Sequence, residues 1–244
     1  MGRAIKAVHV ADPAILEETT PQGLGRRLHG RCFGASLRRG KYLFVELGGG
    51  DSLVLHFGMT GSLAFCRERS EIPEHTACTF EFEDGSVLCY VTRRKLGFIA
   101  FTGDVDAFIE AHHLGPDALS LDADEFVELA QGRRGRVKSW LMNQDVMAGI
   151  GNAYADEILL AAGVHPECVL QDLDEEQVRR LHQATREVLR RAVDAGADPK
   201  RMPEEFILPA REEGARCPRC GGELERLEIS GRPAWYCPDC QPRC

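Results

Sequence analysis

Two C-x-x-C pairs near the C-terminus constrain the fold of this chain more than any other feature. They are Cys217-Pro-Arg-Cys220 and Cys237-Pro-Asp-Cys240, and sixteen residues separate them. Each pair offers two thiolates from a tight turn, and four thiolates complete a tetrahedral zinc site. The alternatives are two disulfides or one redox C-x-x-C pair. Because the chain starts without a secretory signal, the pattern favours one structural Zn²⁺ held by all four cysteines.

The segment between the two pairs is long enough for a β-hairpin, and Gly221-Gly222 and Ser230-Gly231 supply its turns. We expect Cys244 to be a spare terminal thiol. The remaining cysteines are scattered among apolar residues, which predicts that they are buried as small hydrophobic side chains. They are Cys32, Cys66, Cys78, Cys89 and Cys168.

Composition places the chain among soluble globular proteins. It has 244 residues, of which 43% are hydrophobic and 28% charged, a length that suits one large domain or two small ones. No apolar run approaches the roughly 20 residues of a membrane helix, so we expect no membrane partner and a cytoplasmic protein. The net charge of −8 argues against nucleic acid only if the charge is spread evenly.

The charge is not spread evenly. Residues 19–45 hold six basic residues and no acid, and Arg93-Arg94-Lys95 and the 133–138 stretch are also basic and free of acids. Acids concentrate instead in 104–110, 117–128 and 167–176. One interpretation is a solvated surface. The other is a basic face, opposite an acidic one, that binds polyanions.

The chain is expected to be β-rich first and helical later. Alternation of apolar and polar residues and the Asp84-Gly85 turn predict strands, and capping residues with helical spacing predict helices. The predicted strands are 41–47, 52–56, 79–83 and 87–91, and the predicted helices run from Asp122 or Asp124 to Ala130 and over 137–145, 152–162 and 173–195.

The sharpest helical pattern is Met142-Asn-Gln-Asp-Val-Met-Ala-Gly-Ile-Gly-Asn-Ala-Tyr-Ala-Asp-Glu157. Gly149 and Gly151 end one helix and let the backbone approach a ligand, and Asn152 starts the next helix. Amides at a helix N-terminus attract anions, and Asn152 adds a side-chain donor. A helix-turn-helix packing element explains the same glycines.

Three stretches resemble the formamidopyrimidine-DNA glycosylase / endonuclease VIII family. They are Arg38-Arg-Gly-Lys-Tyr-Leu43, His56-Phe-Gly-Met-Thr-Gly-Ser62 and Gly149-Ile-Gly-Asn-Ala-Tyr-Ala-Asp-Glu157, and the two C-x-x-C pairs resemble that family's zinc finger. The resemblance spans residues 2–241 in the family's order. It implies an α+β multidomain fold with a β-sandwich at 1–103, a linker at 104–120, a helix–two-turn–helix domain at 121–210 and a zinc ribbon at 211–244.

The resemblance also implies an activity. The family removes oxidised bases, flips them out of the duplex and nicks the abasic site. Lys41 is similar to the family's lysine that contacts phosphate near the lesion and assists elimination. Arg232 is similar to its zinc-finger arginine near the same phosphates, which aids the second elimination. DNA is expected to lie in a cleft between the two domains.

Further residues gain roles only through the resemblance. Met59, Arg94 and Leu96 match the positions that fill the void left by the flipped base. Leu96 stands where one branch of the family has an aromatic residue, which leaves the damage preference open. The implied phosphate contacts are His75, Arg93 or Arg94, Arg133, Lys138 and Asn152.

The start of the chain departs from the family pattern. The family's nucleophile is an N-terminal proline followed by a glutamate, and this sequence begins Met1-Gly-Arg-Ala-Ile-Lys6. Residues 2–8 resemble the first strand, so we expect the first helix to be missing. A misplaced or trimmed start is the favoured explanation. The alternatives are a deliberate deletion, or a complete chain that lost the chemistry and has Lys41 or Lys138 as a weak surrogate amine.

The resemblance therefore implies a bacterial base-excision-repair glycosylase that removes oxidised bases and has abasic-site lyase activity, here in a sequence that lacks the family's nucleophile. Its partner is double-stranded DNA containing a damaged base or an abasic site, and it acts as a monomer at the nucleoid. One alternative is a non-enzymatic binder of damaged or kinked DNA, and a zinc-ribbon adaptor that binds proteins is another. Binding that weakens with salt separates the DNA-binding functions from the adaptor.

Overall fold

The computed structural model describes residues 2–244, which form two compact units. The first unit ends at His112, and the second runs from His113 to Cys244. No helix in the described part of the chain is long and apolar enough to cross a membrane.

The first unit is a sandwich of two antiparallel four-stranded sheets with the orders β1-β6-β7-β5 and β2-β3-β4-β8. Its apolar core lies between the sheets, and Phe80, Leu55 and Tyr90 belong to it. The expected β-sandwich is confirmed. The strands are β1 (Ile5–Val10), β2 (Ser36–Arg39), β3 (Tyr42–Glu46), β4 (Ser52–His56), β5 (Ser62–Cys66), β6 (Thr76–Phe82), β7 (Val87–Val91) and β8 (Phe98–Thr102).

The sequence patterns do not predict two helices of the first unit. The first, α1 (Pro21–Leu28), begins with the Thr20 hydroxyl accepting from the Gly23 N–H, and it buries two leucines. The second, α2 (Val105–Ala111), is capped by Asp104 and lies in the stretch expected to be a linker. Two glycines inside α1 lower its helix propensity, so tertiary burial rather than local preference forms this helix.

The second unit is helical, with a small hairpin at its end. Its elements are α3 (Ala123–Ala130), α4 (Val137–Leu141), α5 (Asn152–Ala162), α6 (Glu175–Asp194), β9 (Glu225–Ile229) and β10 (Arg232–Tyr236). The two units also contain short 3₁₀ helices at Pro13–Ile15, Arg69–Glu71, Leu170–Asp172, Pro199–Arg201 and Leu208–Ala210.

The boundaries of these helices follow from side-chain hydrogen bonds. Asp122, rather than Asp124, caps α3, in a reciprocal capping box with Glu125. The helix predicted over 137–145 is shorter, because the Gln144 amide donates to the carbonyls of Met142 and Ile150, both at 2.9 Å. That side chain closes a turn in place of helical hydrogen bonds.

The cysteine predictions are partly wrong. Cys168 and Cys244 form a disulfide, so Cys168 is not a free buried thiol and Cys244 is not a spare one. The sequence separation of 76 residues hides this pair, since only the folded second unit brings the two positions together. Cys66, Cys78 and Cys89 are free and buried as expected, and Cys32 is half-buried.

Glycine at position 97 permits a close approach of two loops in the first unit. A Cβ there would collide with the backbone oxygen of His56 and the hydroxyl of Tyr90. Gly58, which has a φ of +59°, would in the same way meet the backbone of Leu96 and Gly97. The turn after β4 and the loop before β8 are therefore packed backbone against backbone.

We predict that Gly97→Ala lowers the free energy of unfolding by about 2 kcal/mol, as overpacking of a tight core does. Gly25→Ala is the matched control, because a Cβ there meets nothing within 4 Å and Gly25 lies inside α1. Alanine should raise stability at that position by roughly 0.5 kcal/mol. Urea unfolding of both variants checks this, and equal midpoints for the two variants would contradict it.

Candidate nucleic-acid interface

The candidate residues of the first unit gather at one end of the sandwich. The strand register pairs Tyr42 with His56 and His56 with Phe98, across β3, β4 and β8. The β2–β3 turn with Lys41, the loop after β4 and the loop before β8 therefore all leave the same end of one sheet. Residues far apart in the sequence become neighbours through this register.

Met59, Arg94 and Leu96 lie on two of these loops. The Arg94 N–H donates to the Thr60 hydroxyl at 3.3 Å, and the Arg94 guanidinium lies 3.5 Å from the Met59 sulfur. Met59 is 72% exposed and Leu96 is 52% exposed. Two large apolar side chains thus lie exposed on neighbouring loops beside a cation, which makes this surface a candidate for contact with a partner.

His75 and the basic run 93–95 lie beside the same loops. The His75 carbonyl accepts the Thr92 N–H at 2.9 Å, so His75 is held at the start of the loop before β8. The Lys95 ammonium forms an ion pair with Asp12. Arg93 and Arg94 are exposed. The structure thus brings His75 next to the arginines that the sequence predicts as phosphate contacts.

Lys41 is exposed and lies near an aromatic cluster. The His56 ring lies 5.0 Å from Tyr42 and stacks on Phe98. Burial, together with the nearby positive charge of Lys41, lowers the pKa of His56. The neighbour of Lys41 is therefore a neutral imidazole near pH 7, and the lysine supplies the positive charge at this point of the surface.

In the second unit, the turn between β9 and β10 packs against the start of α5. The Asn152 side-chain amide donates to the Pro233 carbonyl at 3.0 Å. Ser139 and Ser230 share a hydroxyl hydrogen bond of 3.0 Å. Arg232 is exposed, and its guanidinium lies 3.7 Å from the Met142 sulfur. Asn152 and Arg232, separated by 80 positions, are thus neighbours.

Lys138 does not fit the predicted role of phosphate contact. Its side chain is 0% exposed, and its ammonium lies 2.6 Å from Asp156 and donates to the Pro233 carbonyl at 2.9 Å. Arg211 makes a second ion pair with Asp156. Burial lowers the pKa of Lys138 and raises that of Asp156, against their mutual attraction. A buried, paired ammonium cannot reach a phosphate.

Arg133 occupies a different part of the second unit. It is exposed in the loop between α3 and α4, and its N–H donates to the Ala130 carbonyl at 3.2 Å. This places it at the end of α3 rather than at the ribbon turn. The expectation that Arg133 contacts phosphate stays a prediction.

Four sulfur atoms at the base of the hairpin form the candidate metal centre. The four lie within 4.8 Å of one another, with Cys217 and Cys240 3.9 Å apart and Cys220 and Cys237 3.4 Å apart. Zinc–sulfur bonds of about 2.3 Å in a tetrahedron require sulfur–sulfur distances of about 3.8 Å. The four thiolates therefore fit a closed structural zinc site.

Sequence reasoning misses the residues that join the ribbon to the helices. Asp156 lies in the glycine-rich pattern, but nothing in that pattern indicates its role. The Pro233 carbonyl is a backbone group, so no residue type in the sequence reveals it. Pro233, two residues after the predicted Ser230-Gly231 turn, is the available signal, since proline in a sheet is confined to edge strands and strand starts. No sequence signal locates the partners of that edge.

Comparison with protein families identifies three matching regions. The formamidopyrimidine-DNA glycosylase N-terminal domain matches residues 1–99, the H2TH domain of the same glycosylase matches 114–203, and a zinc finger found in FPG and IleRS matches 214–243. Formamidopyrimidine-DNA glycosylase of Moorella thermoacetica is 35% identical over 237 residues, covering 91% of this chain and 86% of the relative. That of Alkalilimnicola ehrlichii is 34% identical over 259 residues, covering 98% and 93%.

Solved structures of the same family are similar in fold to this chain. Lactococcus lactis FPG in complex with FAPY-dG-containing DNA superposes with a TM-score of 0.86 at 28% identity, covering 99% of this chain and 94% of that chain. Lactococcus lactis Fpg with DNA containing an abasic site gives a TM-score of 0.88 at 27% identity, covering 99% and 93%.

We predict that Cys237→Ser abolishes stoichiometric zinc and unfolds the ribbon, because three thiolates leave the tetrahedron open. The wild-type chain should carry one equivalent of zinc by metal analysis. Cys32→Ser is the control, since Cys32 is a free cysteine outside the cluster. A full equivalent of zinc in Cys237→Ser would refute the site.

We predict that the buried carboxyl of Glu157 makes the free energy of unfolding depend on pH. Burial raises the pKa of this carboxyl to about 7, although the N–H groups of Ile207 and Leu208 donate to it. The folded state therefore holds a proton that the unfolded chain releases, and stability falls as pH rises from about 4.5 to about 7, by roughly 3 kcal/mol in total.

The variant Glu157→Gln, which cannot ionise, should lose this slope. The exposed Glu213→Gln is the control and should keep it. Urea unfolding of both variants between pH 4.5 and 7.5 checks the prediction. Parallel stability curves for the wild type and Glu157→Gln would contradict it.

Proposed function

Because this chain belongs to the formamidopyrimidine-DNA glycosylase family and is therefore a base-excision-repair DNA glycosylase, we propose how its own residues act on damaged DNA. The substrate is duplex DNA that contains an oxidised base, or the abasic site left after base removal. The two Lactococcus lactis structures named above contain DNA of these kinds, which supports this substrate class for the present chain.

The observation that carries the proposal is the exposed group formed by Met59, Arg94 and Leu96. A base must leave the stack before it can be excised, and its departure costs stacking energy. Apolar side chains that enter the vacated space recover part of that energy. Met59 and Leu96 supply the apolar surface, and the Arg94 guanidinium beside them offers donors to the orphaned base or to phosphate.

Phosphate binding is assigned to both units. In the first unit His75, Arg94 and Lys41 lie at the end of the sandwich where the exposed group lies. In the second, Arg133 and the pair Asn152 and Arg232 carry this role. One amide hydrogen of Asn152 is used by Pro233, so the second hydrogen is the one assigned to phosphate. Lys138 is excluded by its burial.

The lyase step is assigned to the cations nearest the sugar. Elimination expels a phosphate from the open sugar, and a nearby cation stabilises the charge that develops on the leaving oxygens. Lys41 is proposed for the first elimination and Arg232 for the second. Both elimination roles are assigned to residues present in this sequence. No role is assigned to the family's N-terminal proline and glutamate.

The zinc ion is proposed to have a structural and not a catalytic role. Four cysteine ligands close the metal's coordination, which leaves no open position for substrate. The ion would hold the two ends of the β9–β10 hairpin and so the turn that carries Arg232. The protein is proposed to act as a monomer on nucleoid DNA in the bacterial cytoplasm.

Borohydride trapping tests the proposed activity. A duplex with a single abasic site, and a second duplex with a formamidopyrimidine lesion, are incubated with the chain and reduced. A covalent protein–DNA adduct and a nicked strand are the expected results. The exposed amine of Lys41 condenses with the aldehyde of the open sugar, water leaves, and borohydride reduces the resulting imine. Tight binding without adduct or nick would favour the non-enzymatic binder. Absence of both binding and adduct would refute the DNA function.

We predict that Lys41→Glu lowers the affinity for abasic-site duplex by roughly tenfold and reduces the salt slope of binding by about one, because a cation that neutralises a phosphate is lost. Asn152→Asp should lower the affinity by a similar factor, because a carboxylate replaces a hydrogen-bond donor to phosphate. Lys200→Glu is the matched charge reversal, since Lys200 is an exposed lysine in a 3₁₀ helix with no assigned role. It should leave the slope unchanged. Filter binding from 50 to 200 mM salt checks the prediction, and equal slopes for Lys41→Glu and Lys200→Glu would contradict it.

A further inference from the structure

The zinc ribbon has an open sheet edge that faces the helices. β10 pairs with β9, and the register places Pro233 opposite Glu228 and Trp235 opposite Arg226. Proline has no N–H, so Pro233 cannot exchange both bonds with its partner, and its carbonyl points away from β9. The N–H of Trp235, two residues later, points the same way.

Side chains of α4 and α5 take the place of a third strand at this edge. The Lys138 ammonium donates to the Pro233 carbonyl at 2.9 Å. The Asp156 carboxylate lies close enough to the Trp235 N–H for that group to lower the pKa of Asp156, against the larger effect of burial, which raises it. Lys138 and Asp156 are both 0% exposed and are joined by an ion pair of 2.6 Å. The Lys138 ammonium is thus the donor that faces the Pro233 carbonyl, and the Asp156 carboxylate is the acceptor that faces the Trp235 N–H.

We propose that Lys138 and Asp156 are positioning residues, which hold the turn carrying Arg232 against the N-terminus of α5 so that Arg232 and Asn152 meet the same DNA. The inference rests on the proposed function, because the DNA roles of Arg232 and Asn152 belong to it. Asn152 shares the Pro233 carbonyl with Lys138, which ties its amide to the same point of the ribbon.

The charges of Lys138 and Asp156 should fix the position of the ribbon turn, which is an effect that apolar packing at the same sites would not have. Buried ion pairs are often replaced by apolar side chains without loss of stability, because the desolvation cost of the two charges disappears. A turn held only by packing would therefore survive such a replacement unchanged. A turn held by a matched donor and acceptor would keep its zinc and its fold but lose its fixed position.

The first test does not depend on DNA. Lys138→Met/Asp156→Leu keeps the volume and removes both charges, and amide hydrogen exchange is followed by NMR in the zinc-loaded full chain. The Trp235 amide should exchange roughly tenfold faster or more. The Ala234 amide, which faces β9, should keep its protection, and zinc should stay at one equivalent.

The second test measures function in the same variant. The affinity for a duplex with an abasic site should fall roughly tenfold. At saturating DNA the second elimination, which is assigned to Arg232, should slow, whereas the first, which is assigned to Lys41, should keep its rate. Asp124→Asn/Arg179→Met removes an exposed ion pair between α3 and α6 and is the matched control. It should change neither the Trp235 exchange nor the affinity.

The outcomes separate the inference from the function on which it rests. Unchanged Trp235 exchange, or unchanged affinity with faster exchange, would overturn the inference. If the wild type fails to bind DNA, the proposed function fails, and the exchange result still decides whether the ion pair holds the edge. If the double variant loses zinc, Asp156→Asn, which keeps the shape and removes one charge, is measured in the same two assays and judged by the same outcomes.

Discussion

The second unit is organised around the free edge of a two-stranded ribbon. A hairpin of this size buries too little apolar surface to fold alone, so it needs a metal at one end and a neighbour along its edge. Four cysteines supply the metal ligands, and Lys138, Asp156 and Asn152 supply the neighbour. The same contacts bring Arg232 beside Asn152. Stability and the candidate DNA surface therefore come from one set of interactions.

In the first unit, glycine rather than buried charge fixes the position of the candidate loops. The loops that carry its candidate residues lie at one end of the sandwich because β3, β4 and β8 are in register there. Gly58 and Gly97 then let two loops pack backbone against backbone, which leaves the side chains of Met59 and Leu96 outside. Apolar side chains that folding would otherwise bury are thus kept at the surface, where the proposed function assigns them to the space left by a flipped base.

Much of this architecture can be predicted from the sequence because its signals are local. The cysteine spacing predicts the metal cluster, and the Asp84-Gly85 turn predicts a hairpin. A capping residue predicts α3, and apolar residues at helical spacing predict α6. The features that cannot be predicted depend on distant partners. Lys138 lies in a basic stretch that suggests a DNA contact, yet Asp156 and the Pro233 carbonyl bury it. The bond between Cys168 and Cys244 likewise has no local signal.

In the proposed function, DNA contacts both the loops at one end of the sandwich and the ribbon turn. The decisive measurement is hydrogen–deuterium exchange of the zinc-loaded chain, with and without an abasic-site duplex. Protection is expected in residues 57–61 and 92–97 and in the turn 230–232, and not along the exposed acidic start of α6. Protection confined to α6, or absent from both the sandwich loops and the ribbon turn, would contradict this assignment.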